Sequence, residues 1–367
     1  MSEPLRVAQV MGYMNGGGVE QVVMNYYRHI DRSRVQFDFL VCKGSTRVPR
    51  KEIESLGGFV YTVPPYSDYF DFQRALASLF RRQGWAIVHS HLNSLSVFSL
   101  RAAKRANVPI RIAHSHSTSG KGEYIKNAVK LGLRRFSNVY PTYRMACSNH
   151  AGEWLFGRKM DFEVVPNAIE LDKFVYRPAV RSAVRVELGI PDRAFVVGHV
   201  GRFMEQKNHH FLIHVFTNLL REVPDAYLLL VGEGELMNEI RSEVKKAGIA
   251  ERVLFLGQRS DVGKLYSTFD AFCLPSLYEG LGMVAIEAQC SGLPCIVSTE
   301  VPREVALTES VQFLPLNNVN EWVSALRGAT AAERLEVDDK LFTAYEINRA
   351  SQALCVRYES LVRDYEL

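Results

Sequence analysis

Short runs of β-branched and aromatic residues alternate along this chain with longer stretches whose apolar positions recur every three or four residues. The first pattern predicts strands and the second amphipathic helices. In the first half, strand patterns fall at 5–11, 36–42, 59–63, 86–90, 110–113 and 144–147. Helical spacing occupies 19–29, 72–82 and 96–105 between them. After Val164-Val165-Pro166-Asn167 the alternation gives way to a turn-rich linker reaching about Pro178. Strand patterns resume at 195–201, 226–231, 252–256, 270–275, 294–298 and 311–314. Alternation of this kind, twice over, predicts an α/β protein with two Rossmann-like domains built on parallel sheets. Such sheets bind ligands beyond the carboxyl ends of their strands, so the expected site is a cleft between the domains. A last helical pattern, 348–364, follows no strand. The expected division is 1–168, 169–347 and a closing helix within 348–367.

Length and composition fit that picture. A chain of 367 residues can supply two domains with their own cores. Its 47% hydrophobic and 23% charged content is ordinary for a globular protein. Six cysteines form no C-x-x-C pair and lie mostly in apolar runs. They read as reduced, buried thiols of a cytoplasmic protein. The opening MSEPLRVAQVM lacks the apolar core of a signal peptide, and no run approaches the ~20 apolar residues that span a bilayer. Residues 1–175 hold 24 basic against 14 acidic side chains, so +10, whereas 176–367 hold 20 against 26, so −6. A basic first half points to an anionic partner: membrane, nucleic acid or phosphorylated substrate.

Candidate chemistry is concentrated in a few loops. In SLYEGLGMVAIEAQCSGLPC, residues 276–295, a glycine-bracketed loop runs into a helix from about Met283 to Cys290. Glu287 stands among Val284, Ala285, Ile286 and Ala288, where a buried carboxylate needs hydrogen-bond donors such as a sugar diol. The alternative is a Glu287 that faces solvent. Amides of Gly280, Leu281 and Gly282 could meet an anion at the helix start. Residues 200–209, VGRFMEQKNH, put Arg202 and Lys207 where a strand ends and a helix opens. Cations disfavour a helix N-terminus, so Lys207 there suggests a bound polyanion, against a merely solvated lysine. The first strand ends in Gly12-Tyr13-Met14-Asn15-Gly16-Gly17-Gly18, a bare backbone that is either an anion loop or a plain turn. It is not a dinucleotide fingerprint. Two His-x-His pairs, His89/His91 and His114/His116, place each pair on one strand face, so metal ligation and a structural role are both open.

Glu279-x7-Glu287 followed by Gly292-Leu293-Pro294 resembles the E-x7-E signature of retaining GT-B glycosyltransferases of family 4. Gly201 to Asn208 resembles that family's G-R-x-x-x-x-K-N motif. Val231-Gly232-Glu233-Gly234 and Gly257-Gln258-Arg259-Ser260-Asp261 match its order, and Pro166-Asn167-Ala168-Ile169-Glu170 its P-N-G-I-D hinge with two departures. The resemblance covers nearly the whole chain and is densest over 195–300. It implies a GT-B fold and transfer of a hexosyl group from a nucleotide sugar, UDP-linked, with retention of configuration. Arg202 and Lys207 would hold the diphosphate, assisted by Gly17 and Gly18. Backbone groups near Arg259 would take the base, Glu279 the sugar hydroxyls and Glu287 the ribose diol. His116 would contact the donor sugar beside the reacting carbon. A sugar-nucleotide epimerase of the same fold, or a non-catalytic nucleotide-sugar-binding protein, is the alternative.

The family's closing helix packs back across the first domain, and its first domain takes the acceptor. Polysaccharide-building relatives often use lipid-linked acceptors, so the expected partners are a nucleotide sugar, a lipid-linked glycan and an anionic membrane surface, not nucleic acid. No D-x-D occurs, so no metal or other cofactor is expected. Residues 119–135, SGKGEYIKNAVKLGLRR, set Lys126, Lys130 and Arg134 on one helical face beside Ile125, Val129 and Leu133. This is the pattern of a segment lying in a headgroup layer, or of a surface helix packed on the core. The first reading places the protein peripherally on the inner face of the cell membrane.

Overall fold

The computed structural model describes residues 3–116, 130–331 and 334–365. Two compact units emerge, Met1–Ile169 with Ala344–Leu367, and Glu170–Thr343. The first holds β1 (Leu5–Gly12), β2 (Val35–Cys42), β3 (Phe59–Val63), β4 (Ile87–Ser90), β5 (Ile110–Ser115), β6 (Tyr143–Ala146) and β7 (Glu163–Val164). They pair in the order β3-β2-β1-β4-β5-β6-β7, every pair parallel. The second holds β8 (Val196–Val200), β9 (Tyr227–Val231), β10 (Val253–Gly257), β11 (Ala271–Leu274), β12 (Cys295–Ser298) and β13 (Val311–Leu314). Their order is β10-β9-β8-β11-β12-β13, again all parallel. In both sheets the winding reverses beside the first strand, between β1 and β4 and between β8 and β11. Ligands of open α/β sheets sit at such switch points.

Parallel strands covered on both faces read as continuous apolar runs, and β2 is buried at all eight positions. Its one charge, Asp38, is held by the Arg6 guanidinium, the Trp85 indole N–H at 2.8 Å and the Phe59 amide at 3.1 Å. A buried carboxylate with three donors is compensated rather than stranded. In the second unit the buried Arg185 donates to the carbonyls of Thr268, Asp192 and Ala194 and to the Asp270 carboxylate. Those bonds tie the helix Pro178–Glu187 to the entrances of β8 and β11. The sequence reading ended its linker where this helix begins.

The closing helix Ile347–Asp364 is capped by Glu346, whose carboxylate accepts from the amides of Asn348 and Arg349. It packs on the helix Gly18–His29 and buries Leu354, Cys355, Tyr358 and Leu361. All six cysteines are buried thiols. Among the described residues no helix is long and apolar enough to cross a membrane.

Candidate functional site

At the β8–β11 switch point the backbone dictates what can stand there. Strand β8 leads into Gly201 and Arg202, then a short 3-10 turn Glu205–Lys207, with Asn208 left-handed before the helix His209–Glu222. Strand β11 leads into Pro275 and the buried loop through Glu279, Gly280, Leu281 and Gly282 to the helix Met283–Cys290. Gly282, at φ +95°, makes the turn that starts this helix. The two loops are stitched by Leu277 N–H to Gln206 O at 2.8 Å and by the Gln206 side chain to Tyr278 O at 2.9 Å. Lys207 Nζ thereby lies 2.6 Å from Glu279 Oε1, and Ser276 Oγ donates to that same oxygen at 2.7 Å. The other oxygen, Oε2, receives only a long 3.3 Å contact from Gln206. Glu279 is thus fixed by one oxygen and open to a hydroxyl donor at the other. Arg202 is exposed, with no partner among the described residues.

Glu287 is half-buried on the helix behind that loop. Tyr266, wholly buried, donates its hydroxyl to Glu287 Oε2 at 2.7 Å. Desolvation raises the Glu287 carboxyl above its usual pKa, while the Tyr266 bond and Lys207 oppose the shift. Among the described residues its Oε1 has no partner, so two further donors, such as a vicinal diol, match what the group lacks. The floor beside these groups is glycine. Gly201 N–H bonds Val231 O, and Gly232 N–H bonds Gly257 O, which joins the ends of β8, β9 and β10. A Cβ at Gly232 would stand 2.1 Å from Gly201 O. Arg259 clamps Asp261 through two bonds of 2.8 and 2.9 Å. Its Nη2 also reaches Glu187 Oε1 at 3.5 Å, at the end of the helix Pro178–Glu187.

In the first unit the glycine loop after β1 already holds an anion. Glu20, in the first turn of Gly18–His29, accepts from Asn15 N–H at 3.0 Å and Gly16 N–H at 2.6 Å. The expectation of a bare loop is corrected to that extent. Gly17 caps the helix without a side-chain bond, and Gly18 is exposed with open space where a Cβ would lie. These two amides are orphan helix-start donors.

Beside that loop, the ends of β4 and β5 bring His89, His91, His114 and His116 together, all buried, with ring centroids 4.0–5.4 Å apart. Burial drives His89 down to about 3 and His116 to about 4, and His91 and His114 well below the ordinary value. All four rings are therefore neutral near pH 7. One nitrogen each from His89, His91 and His114 lies within 4.8 Å of the others, within reach of a metal ion. Those rings are nonetheless bonded to one another and to Gln9 and Tyr358, and among the described residues no carboxylate lines the space to balance a dication. Sequence reasoning singled out the histidines but not Gln9 or Tyr358, nor Ser276, Gln206 and Tyr266 around the two glutamates. Most of the basic segment, residues 117–129, lies outside the described residues. Just after it Leu131, Phe136 and Val139 are each about half exposed, and Arg134 stacks 5.5 Å from the Trp154 ring.

Two parallel Rossmann-like sheets, with polar groups collected at the switch point of each, make this a two-domain α/β protein of the GT-B class. The chain belongs to the glycosyltransferases: residues 180–327 match Glycosyl transferases group 1, and residues 16–173 match Glycosyltransferase Family 4. It is 38% identical over 344 residues to the putative glycosyltransferase EpsF of Bacillus subtilis (strain 168), spanning 91% of this chain and 90% of that protein. It is 27% identical over 356 residues to the UDP-Gal:alpha-D-GlcNAc-diphosphoundecaprenol alpha-1,3-galactosyltransferase of Escherichia coli, spanning 92% and 90%. Among solved structures, Anabaena HepE in complex with UDP and glucose matches with a TM-score of 0.74 over 96% of this chain and 95% of that one, at 19% identity. Sucrose-phosphate synthase from Thermosynechococcus elongatus matches at 0.76 over 98% of both chains, at 18% identity. Likeness at those identities shows the fold.

Proposed function

We propose that the protein transfers a hexosyl group from a UDP-sugar to an acceptor hydroxyl with retention of anomeric configuration. The proposed acceptor is a lipid-linked glycan in polysaccharide assembly, met at the inner face of the cell membrane. The observation that carries the reading is the Lys207–Glu279 pair at the β8–β11 switch point, 2.6 Å apart with one carboxylate oxygen left underbonded. A cation for phosphate and an acceptor for sugar hydroxyls stand side by side there. Lys207 has three N–H donors, so it can keep Glu279 and still meet a diphosphate oxygen. As the glycosidic bond breaks, negative charge builds on the departing diphosphate, and Lys207 and the unpaired Arg202 are placed in advance to stabilise it. Glu279 Oε2 orients the sugar, and Glu287 Oε1 takes the ribose diol. His116 contacts the sugar near the reacting carbon. The same two cations supply the countercharge without a divalent ion. The name of the Escherichia coli relative, with its UDP-Gal donor and diphosphoundecaprenol acceptor, supports the donor and acceptor classes.

Thermal shift across a panel of nucleotide sugars tests the donor, since a ligand selective for the native state raises stability by mass action. Turnover of the selected donor with a lipid-linked acceptor, followed by NMR, tests the rest. An α-linked donor should give an α-glycoside. A β-product removes retention, conversion of donor without acceptor makes the protein an epimerase, and binding without turnover makes it a binding protein.

A further inference from the structure

A helix leaves its last four carbonyls without partners of its own. In the short helix Val262–Thr268 those four belong to Tyr266, Ser267, Thr268 and Phe269. Arginines take all of them. Arg185 and Arg181 donate to Thr268 O at 3.0 and 3.3 Å, and Arg181 reaches Phe269 O at 3.4 Å. Arg334 Nη2 donates to Tyr266 O at 3.1 Å, to Ser267 O at 3.0 Å and to Phe269 O. Its other terminal nitrogen turns to a second helix end. Nη1 lies 2.5 Å from Ser291 O and 3.2 Å from Ser291 Oγ, just past the helix Met283–Cys290. Next to it Leu335 N–H bonds Gly292 O at 3.1 Å, and a Cβ on Gly292 would stand 2.4 Å from Leu335 O. The Tyr176 ring covers the guanidinium at 4.0 Å. Burial lowers the Arg334 pKa to about 10, so the group keeps its charge near neutral pH.

What the two helices carry gives this grip a consequence. Tyr266, on the first, is wholly buried, and its hydroxyl lies 2.7 Å from Glu287 Oε2 and 3.1 Å from Val284 O. Glu287 stands on the second helix, one turn before Ser291. Arg334 therefore closes a ring: guanidinium to Tyr266 carbonyl, Tyr266 hydroxyl to Glu287 carboxylate, one helical turn to Ser291, and Ser291 carbonyl back to the guanidinium. A hydroxyl has a single proton to donate. A small slide of one helix past the other exchanges Glu287 for Val284 O as its acceptor.

We propose that Arg334 is a positioning residue for donor binding: by locking the two helix ends together it keeps the Tyr266 hydroxyl on Glu287 Oε2 and leaves Oε1 to a ribose diol. This rests on the reading of Glu287 as the ribose contact. Charge alone does not fill the role, because a lysine lacks the planar fork that spans the carbonyls of Tyr266, Ser267, Phe269 and Ser291.

Titration calorimetry of the full-length protein with UDP and with 2′,3′-dideoxy-UDP, which lacks the diol, tests this. A partly unfolded sample weakens both affinities by the same factor, so the ratio of the two Kd values is unmoved by mere instability. The wild type should bind UDP about tenfold tighter or more, the weight of a hydrogen bond to a charged group. Glu287→Ala should bring the two affinities together. Arg334→Lys and Tyr266→Phe should each lower the ratio by about threefold or more, as the carboxylate loses its aim. Arg334→Lys with the wild-type ratio overturns the proposal. Where that variant folds poorly, Tyr266→Phe with the wild-type ratio overturns it equally. A wild type that binds both nucleotides alike removes the ribose reading of Glu287, and this proposal with it.

Discussion

Replacing Lys207 by alanine tests how the proposed donor site is held together. In the wild type Glu279 and Lys207 are 9% and 14% exposed in their side chains, 2.6 Å apart. Breaking a buried pair from one side costs about 3–5 kcal/mol, because the other charge is left uncompensated. Ser276 and Gln206 remain bonded to Glu279, and the small exposure lets water help, so about 2–3 kcal/mol is expected here. For a domain of this size that lowers Tm by about 5–10 °C. Adding Glu279→Gln removes the stranded charge and should restore more than half of the loss, a coupling that a double-mutant cycle measures. Turnover should fall by roughly 10²–10³ in Lys207→Ala, the loss of one preorganised charge stabiliser. Arg202→Ala, at an exposed and unpaired position, should lose turnover similarly while leaving Tm unchanged. Calorimetry and initial rates on wild type, the two single variants, their double variant and Arg202→Ala read all of this. A Lys207→Ala protein that melts within about 1 °C of wild type, with no recovery on adding Glu279→Gln, refutes the pairing as the structural support of the site.

Other outcomes follow from the same structure. Activity should survive exhaustive chelation, and a loss restored by Mg²⁺ or Mn²⁺ would put a metal into the reaction. The buried histidines make the first domain acid-sensitive. His116 titrates at about 4 when folded against 6.5 unfolded, so the unfolded chain binds the extra proton in between. Its stabilisation is complete above about pH 6.5 and falls by about 3 kcal/mol as pH drops through 4; a urea midpoint flat from pH 6.5 to 4.5 would contradict this. The protein should co-sediment with anionic but not neutral liposomes and be released by salt, since each basic residue near such a surface contributes about 1 kcal/mol. Lys126, Lys130 and Arg134 changed together to Glu should abolish that binding, and unchanged sedimentation would rule the segment out.

The sheets were legible because buried parallel strands announce themselves as apolar runs, and twelve of the thirteen lie within about two residues of expectation. β7, two residues long, is too short to show a pattern. Pro178 was read as the end of a linker, although proline at a first helical position is as much a start signal. Lys207 and Glu279 could each be singled out, but not their contact, which arises because β8 and β11 are neighbours in the sheet. Gln9 and Tyr358 are 349 positions apart, and only the return of the last helix brings them together. Glu20 was readable in principle, as a first-turn carboxylate just past a glycine run, and the glycines drew the attention instead.

The glycine floor bears on how such an enzyme can be changed. Gly232 sits at φ +135°, and any side chain there would collide with the Gly201 carbonyl; one at Gly234 would come 2.3 Å from that of Phe203. These positions are closed to substitution by backbone contact rather than by chemistry, so selection for a new donor finds no viable variants among them. The loop from Gln258 to Asp261 is differently built, with Arg259 and Asp261 satisfying each other through side chains that can be exchanged as a pair. On the proposal that backbone groups near Arg259 take the base, a directed library should spare the glycines and vary residues 258–261 and look there for a changed base preference.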